Sequence, residues 1–200
     1  MTQSEAKKVT DRLLSLSKAD TCTVTVSGRL QRHMRFALNS VTTSGEQEDV
    51  SVSVTSSFGN RSGSARTNEF TDAALERVVR KSEEIAKFAP PNPEFVPPFG
   101  PQQYVEGRTW FEGTAKAGPE EMAGMTRPVL ETATKKEVTA AGFFSVGSAS
   151  SSIATSKGLF AHDNATGALF SVSARTSDGT GAGWSGVKYQ IGRASCRERV

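Results

Sequence analysis

Histidine and cysteine are the scarcest chemistry-bearing residues of this 200-residue chain, with two of each. A zinc site needs three or four converging His, Cys or carboxylate ligands, commonly with two on one helical turn. Neither His-Glu-x-x-His nor His-Glu-x-x-x-His occurs here. Two histidines give little support to a serine triad, and the run Ser148 to Ser152 lacks the glycine-framed turn of a nucleophile elbow. No uninterrupted apolar stretch reaches the roughly 18 residues that would indicate a membrane span. Met1 leads into Thr-Gln-Ser-Glu-Ala-Lys-Lys, with none of the apolar run of a signal peptide.

The last ten residues, Ile191 to Val200, read Ile-Gly-Arg-Ala-Ser-Cys-Arg-Glu-Arg-Val, which matches a translated frame of a common short-read sequencing adapter. Such a scar is set aside before fold reasoning, so the natural chain is expected to run to Gln190 and to continue beyond it. The tail also distorts the composition. The full chain has 24 Lys+Arg and 21 Asp+Glu, net +3. Without Arg193, Arg197, Arg199 and Glu198 there remain 21 basic and 20 acidic residues, net +1. A near-neutral chain gives no support to a nucleic-acid or membrane partner. Cys196 goes with the tail, leaving Cys22 alone. One thiol forms no internal disulfide, which fits a reducing, cytoplasmic location.

What is present reads as an α+β chain, a mixed, largely antiparallel sheet covered by helices. Residues 3–18 predict an amphipathic helix with Val9, Leu13 and Leu16 on one side. Cys22, Val24 and Val26 alternate with threonines, Gly28 offers a turn, and 30–38 reads as the returning strand. Val50, Val52 and Val54 mark a third strand, and Phe58-Gly-Asn-Arg61 a turn into a small-residue strand at 62–68. Thr71 or Asp72 caps a helix to Phe88, with Leu75, Val78, Val79, Ile85 and Phe88 as its buried stripe. Residues 1–88 therefore form one predicted unit. Six prolines fall in the thirteen residues 89–101, which reads as an extended tether. The region 102–190 is expected to hold a helix at 119–136, kinked or restarted by Pro128, and then a meander. Its strands are read at 140–146, 150–155, 159–163, 168–175 and 183–187, with Asn164-Ala-Thr-Gly167 as a hairpin turn.

Candidate chemistry is sparse. His33 lies in a strand pattern between Arg32 and Arg35, and His162-Asp163 sits near a turn. Either could be a ligand, but a surface or strand role suits both better. Gly179, Gly181, Gly183 and Gly186 resemble a phosphate loop only superficially, because no Gly-Lys follows and Trp184, Val187 and Tyr189 continue a strand. Arg29, Arg32 and Arg35 form a basic cluster of a kind that contacts phosphate, yet alternating basic residues commonly form the wet face of a sheet.

The order of segments resembles one family. The match begins at Arg35-Phe-Ala-Leu-Asn-Ser-Val-Thr-Thr-Ser44 and continues through Val50-Ser-Val-Ser-Val54 and Gly59-Asn-Arg-Ser-Gly-Ser-Ala-Arg-Thr-Asn68. Lys81-Ser-Glu-Glu-Ile-Ala-Lys-Phe-Ala89 and Pro91-Asn-Pro93 follow, then Ala154 to Phe160, Ser171 to Thr176 and Gly181-Ala-Gly-Trp-Ser185. Together these resemble the N-terminal part of the TldD/PmbA family, metallopeptidases also called modulators of DNA gyrase, over roughly residues 10–190; the weight lies in the order of the blocks. Asp49 stands where many members have glycine.

The resemblance implies an N-terminal α/β region preceding a β-rich C-terminal domain that this chain does not reach. It implies that active members hold zinc through a His-Glu-x-x-x-His motif in that later part, whose glutamate activates the metal-bound water. It further implies homodimers or heterodimers around a cavity for unfolded peptide, one subunit type lacking the motif and acting as a partner. No catalytic, cofactor-binding or metal residue of the family has a matching position here. Two functions are thus expected: a zinc-peptidase subunit acting on unfolded peptides, or a non-catalytic partner subunit. The fragment alone is expected to lack activity and cofactor, with zinc in the missing part if the parent is catalytic.

Overall fold

One parity of buried positions recurs at both ends of the first strand, and it organises the sheet. The computed structural model describes residues 1–105 and 107–189; the expectation for Ile191–Val200 lies outside the described residues. Strand β1 (Thr21–Ala37) buries Cys22, Val24, Val26, Met34 and Phe36, all even-numbered. Successive side chains point to opposite faces, so a single parity means one uninterrupted strand with one core-facing side. Gly28 is therefore no turn. A Cβ there would stand 2.7 Å from the Ser150 hydroxyl oxygen, so glycine serves close approach within the sheet.

The remaining strands are β2 (Ser40–Phe58), β3 (Arg61–Thr67), β4 (Val138–Thr155), β5 (Phe160–Thr176) and β6 (Ala182–Tyr189). They form one six-stranded sheet in the order β3-β2-β1-β4-β5-β6. β2–β3 and β5–β6 pair antiparallel, with Val54 opposite Ala65 and Leu169 opposite Lys188. Contacts descend along β4 as they climb β1: Cys22 O accepts from Ser156 N, a Cβ on Gly142 would touch the Phe36 ring, and Asn39 N donates to Ala140 O. That run is antiparallel as well. Leu38 and Asn39, both at positive φ, make the tight β1–β2 turn, where the Asn39 side chain bonds Val138 O and Ala140 N. Three breaks expected from composition are absent, since β4 passes through Gly147 and β5 through 164–167. The polar stretch 40–49 is strand too.

Helices α1 (Gln3–Leu16) and α2 (Asp72–Phe88) are held at their N-termini by threonine. Thr2 and Glu5 form a capping box, and Thr71 Oγ1 accepts from Ala74 N. α3 (Glu112–Lys116) is a short turn of helix missed by the sequence reading. α4 (Pro119–Lys135) runs on through Pro128 without restarting, although Pro128 has no N–H for the Gly124 carbonyl.

The chain divides into two units. The first comprises Met1–Gly28, Asp49–Gly107 and Ser150–Asp163; the second comprises Arg29–Glu48, Arg108–Ala149 and the chain from Asn164. In the first, Leu13 of α1 and Leu75, Val78 and Val79 of α2 cover Cys22, Val24, Val26, Val52 and Val54. Ile85 and Phe88, expected on the stripe, are exposed; Ser82 and Ala86 are buried in their place. The reason is backbone proximity: α2 lies so close to β3 at Gly63 that only small side chains fit. In the second unit Met122 of α4 packs on Met34, Phe144, Val146 and Ala168. Phe170 stacks on Phe36 at 5.8 Å between centroids and meets Phe144 edge-on at 5.6 Å.

Candidate functional site

The two histidines fall in different units, and each is engaged locally. His33 on β1 stacks on Phe143 of β4 (6.0 Å, 18°), and the Arg35 guanidinium stands over the same ring at 5.7 Å. His162 Nδ1 lies 2.7 Å from the Ser152 hydroxyl oxygen. That is nucleophile–base distance, but Ser152 is 2% exposed and the buried His162 Nε2 has no hydrogen-bond partner among the described residues. A triad needs a third group orienting the base and a substrate able to reach the hydroxyl. Asp163 supplies no such group from the neighbouring position, because adjacent strand residues point to opposite faces.

Cys22 is buried, and burial pushes its thiol above the usual range, opposite to what a nucleophile or metal ligand needs. No group of three or more His, Cys, Asp or Glu able to hold a metal ion occurs among the described residues. The glycines at 179–186 belong to the β5–β6 turn and to β6, so no helix follows to complete a phosphate loop. In that turn Asp178 accepts from the Thr176 hydroxyl (2.6 Å) and from the Thr180 N–H and hydroxyl (3.1 and 2.9 Å). These bonds, the Thr176 hydroxyl first, hold its carboxyl below the ordinary value.

The three arginines of β1 part company. Arg32 donates to Glu46 at 2.5 Å and to the carbonyls of Ala115 and Ala117 at 3.1 and 3.4 Å, so it clips the α3–α4 junction. Arg29 and Arg35, of opposite parity, lie on the face away from Met34 and Phe36. On that face the second unit has a groove of about 450 Å³. Gly147 and Ala149 of β4 with Ala165 and Gly167 of β5 are its small-residue lining, and Gln31, Phe143 and Leu169 are larger residues around it. Arg29 and Lys188 are its only charged lining residues among the described residues. The sequence reading named Arg29 but missed the groove, because its floor comes from two strands that had been divided into four.

Comparison with family models gives two matches. Residues 22–86 match "PmbA/TldA metallopeptidase domain 1", and residues 115–198 match the "PmbA/TldA metallopeptidase central domain". The second runs past Gln190 into the ten-residue tail. Curated proteins give no match. Among solved structures, TldE from Thermococcus kodakarensis superposes with a TM-score of 0.83 at 14% identity, over 92% of this chain and 43% of that one. A putative modulator of a DNA gyrase from Thermotoga maritima gives 0.76 at 16% identity, over 92% and 42%. One from Bacteroides thetaiotaomicron gives 0.73 at 14%, over 92% and 43%. At these identities the structures speak to fold alone, and the chain spans less than half of each. The two domain matches, in order and together covering most of the sequence, place this chain in the PmbA/TldD family.

Proposed function

We propose that this chain is the N-terminal region of a cytoplasmic zinc metallopeptidase subunit that handles unfolded peptides. The observation that carries the reading is the pair of metallopeptidase-family domains in succession on one sheet. The described residues hold no cluster of three or more His, Cys, Asp or Glu able to bind a metal ion; in this reading zinc and the hydrolytic residues belong to sequence outside this chain, and no chemical step is assigned to it. Its part is to present backbone and groove to a peptide. Strands β3 and β6 are the sheet edges, and an extended chain can pair with an edge strand irrespective of its side chains. Such recognition favours unfolded substrates, whose backbone groups are free.

The parent is further proposed to act as a homodimer or a heterodimer with another family subunit. The deciding experiment is expression of the completed parent gene, followed by measurement of mass, zinc content and cleavage of an unstructured peptide beside a folded protein. A zinc-loaded dimer cutting only the unstructured substrate is expected. A dimer without zinc or cleavage assigns the parent to the non-catalytic partner role, and a monomer that cuts both substrates equally refutes the reading of a dimer that handles unfolded peptides.

A further inference from the structure

We propose that the groove on the open sheet face of the second unit binds extended peptide segments bearing acidic side chains, with Arg29 and Lys188 holding the carboxylates. This rests on the peptide-handling reading for the kind of occupant; the preference for acid is new. Three observations carry it. The small residues Gly147, Ala149, Ala165 and Gly167 lie on adjacent strands and let a second chain approach the sheet closely. The charge of the groove is one-sided: among the described residues its lining includes Arg29 and Lys188 and no carboxylate, in a chain whose net charge is only +3. The ion pairs of this unit, Arg32–Glu46 and Lys116–Glu112, leave both cations unpaired among the described residues.

The separation of the cations sets the spacing of the ligand. Strands β4 and β5 lie between β1, which carries Arg29, and β6, which carries Lys188. Three inter-strand steps amount to about 14 Å across the sheet, and the antiparallel pairing (Gly28 beside Ser150, Ser152 beside His162, Leu169 opposite Lys188) sets Lys188 about four residues, ~13 Å, further along the strands than Arg29, so the two lie about 19 Å apart. One carboxylate does not span that gap, whereas an extended peptide with acidic residues about six positions apart does, at ~3.3 Å per residue. Arginine grips a carboxylate through two parallel N–H bonds, and lysine acts as a compact point charge beside Leu169. A single-stranded nucleic acid would meet the same cations, but it binds by stacking bases on exposed rings. The aromatic ring lining the groove, Phe143, already has His33 stacked on it and Arg35 over it.

The test is fluorescence anisotropy on the whole chain with three labelled probes: an unstructured Gly/Ser/Ala peptide carrying two glutamates separated by five residues, the same peptide with glutamines, and an oligo-dT of equal length. The acidic peptide is expected to bind at least about tenfold tighter than its neutral twin, more weakly as salt rises. Arg29→Gln and Lys188→Gln should each weaken it several-fold and together abolish the preference. Arg127→Gln, on α4 and outside the groove, should leave it unchanged. Equal binding of the two peptides, a preference surviving the double substitution, or tighter binding of the oligonucleotide overturns the proposal. The assay needs neither zinc nor cleavage: a parent that never cleaves would sink the peptidase reading and leave this one standing. Charge-blind binding beside a cleaving parent would do the reverse.

Discussion

Replacing Gly63 with alanine would drive a methyl group into the backbone of α2. The added Cβ would stand 2.3 Å from Ala86 N, 2.5 Å from Ser82 O and 2.8 Å from the Ile85 carbonyl carbon. None of these is the movable end of a side chain, so helix and strand must separate by about 1 Å to restore ordinary contact. Overpacking of this kind costs about 1–3 kcal/mol. Retreat of α2 also loosens Leu75, Val78 and Val79 over the valines of β1 and β2, and a gap of 0.5–1 Å forfeits a quarter to a half of each contact. Against this stands only the ~0.5–1 kcal/mol that alanine gains over glycine in regular structure. The expected net loss is about 2–3 kcal/mol, a fall in Tm of roughly 4–12 °C at this chain length. Thermal melts followed by circular dichroism would measure it, with Gly183→Ala as control because nothing lies within 4 Å of a Cβ there. A Gly63 variant at least as stable as the parent, or within ~0.5 kcal/mol of it, would refute the close packing of α2 on β3.

Other substitutions test other parts. Val52→Asp should cost several kcal/mol by burying an unpaired charge, whereas Ser53→Asp on the opposite face should change little; equal urea midpoints would show the register to be wrong. Thr71→Ala should remove about 1 kcal/mol by leaving the Ala74 N–H without its cap, read from the same denaturation curves. In a Cys196→Ser background, Cys22 should resist a thiol reagent at pH 8 until the protein is unfolded, since burial raises its pKa and shields it. The carboxyl of Asp178 is depressed by its hydrogen bonds. Its stabilising effect is therefore present above the unfolded pKa and lost as pH falls through the folded one; Thr176→Val should move its NMR titration upward, and an unchanged curve would exclude the bond as cause.

Local chemistry made much of the fold legible. The Thr71 cap, the α2 stripe through Val79, the turn after Phe58 and the valine alternation of β2 each follow from a rule acting within a few residues. The long strands did not, because glycine carries two meanings. At Gly28 composition reads as a turn and at 147–149 as a break between two strands, yet a Cβ on Gly147 would lie 2.3 Å from Leu30 O, so close approach within the sheet demands its absence. A corrective signal was present: Cys22, Val24, Val26, Met34 and Phe36 keep one parity across Gly28, which a turn has no reason to preserve. The stretch 40–49 offered no such clue, being polar on both faces and exposed. The candidate groove was invisible for the same reason, as its lining becomes contiguous only when β4 and β5 are each continuous.

Because β1, β2, β4 and β5 each contribute residues to both units, neither unit corresponds to a stretch of gene. Each is assembled from three separated segments, and no single cut, at the prolines or elsewhere, releases one intact. Most loop closures needed for either core span long distances in sequence, which predicts slow folding late in synthesis, after β5 has left the ribosome. A protease nick within residues 89–101 should accordingly yield two polypeptides that migrate together until denatured. For engineering, the pair of units is the smallest portable part.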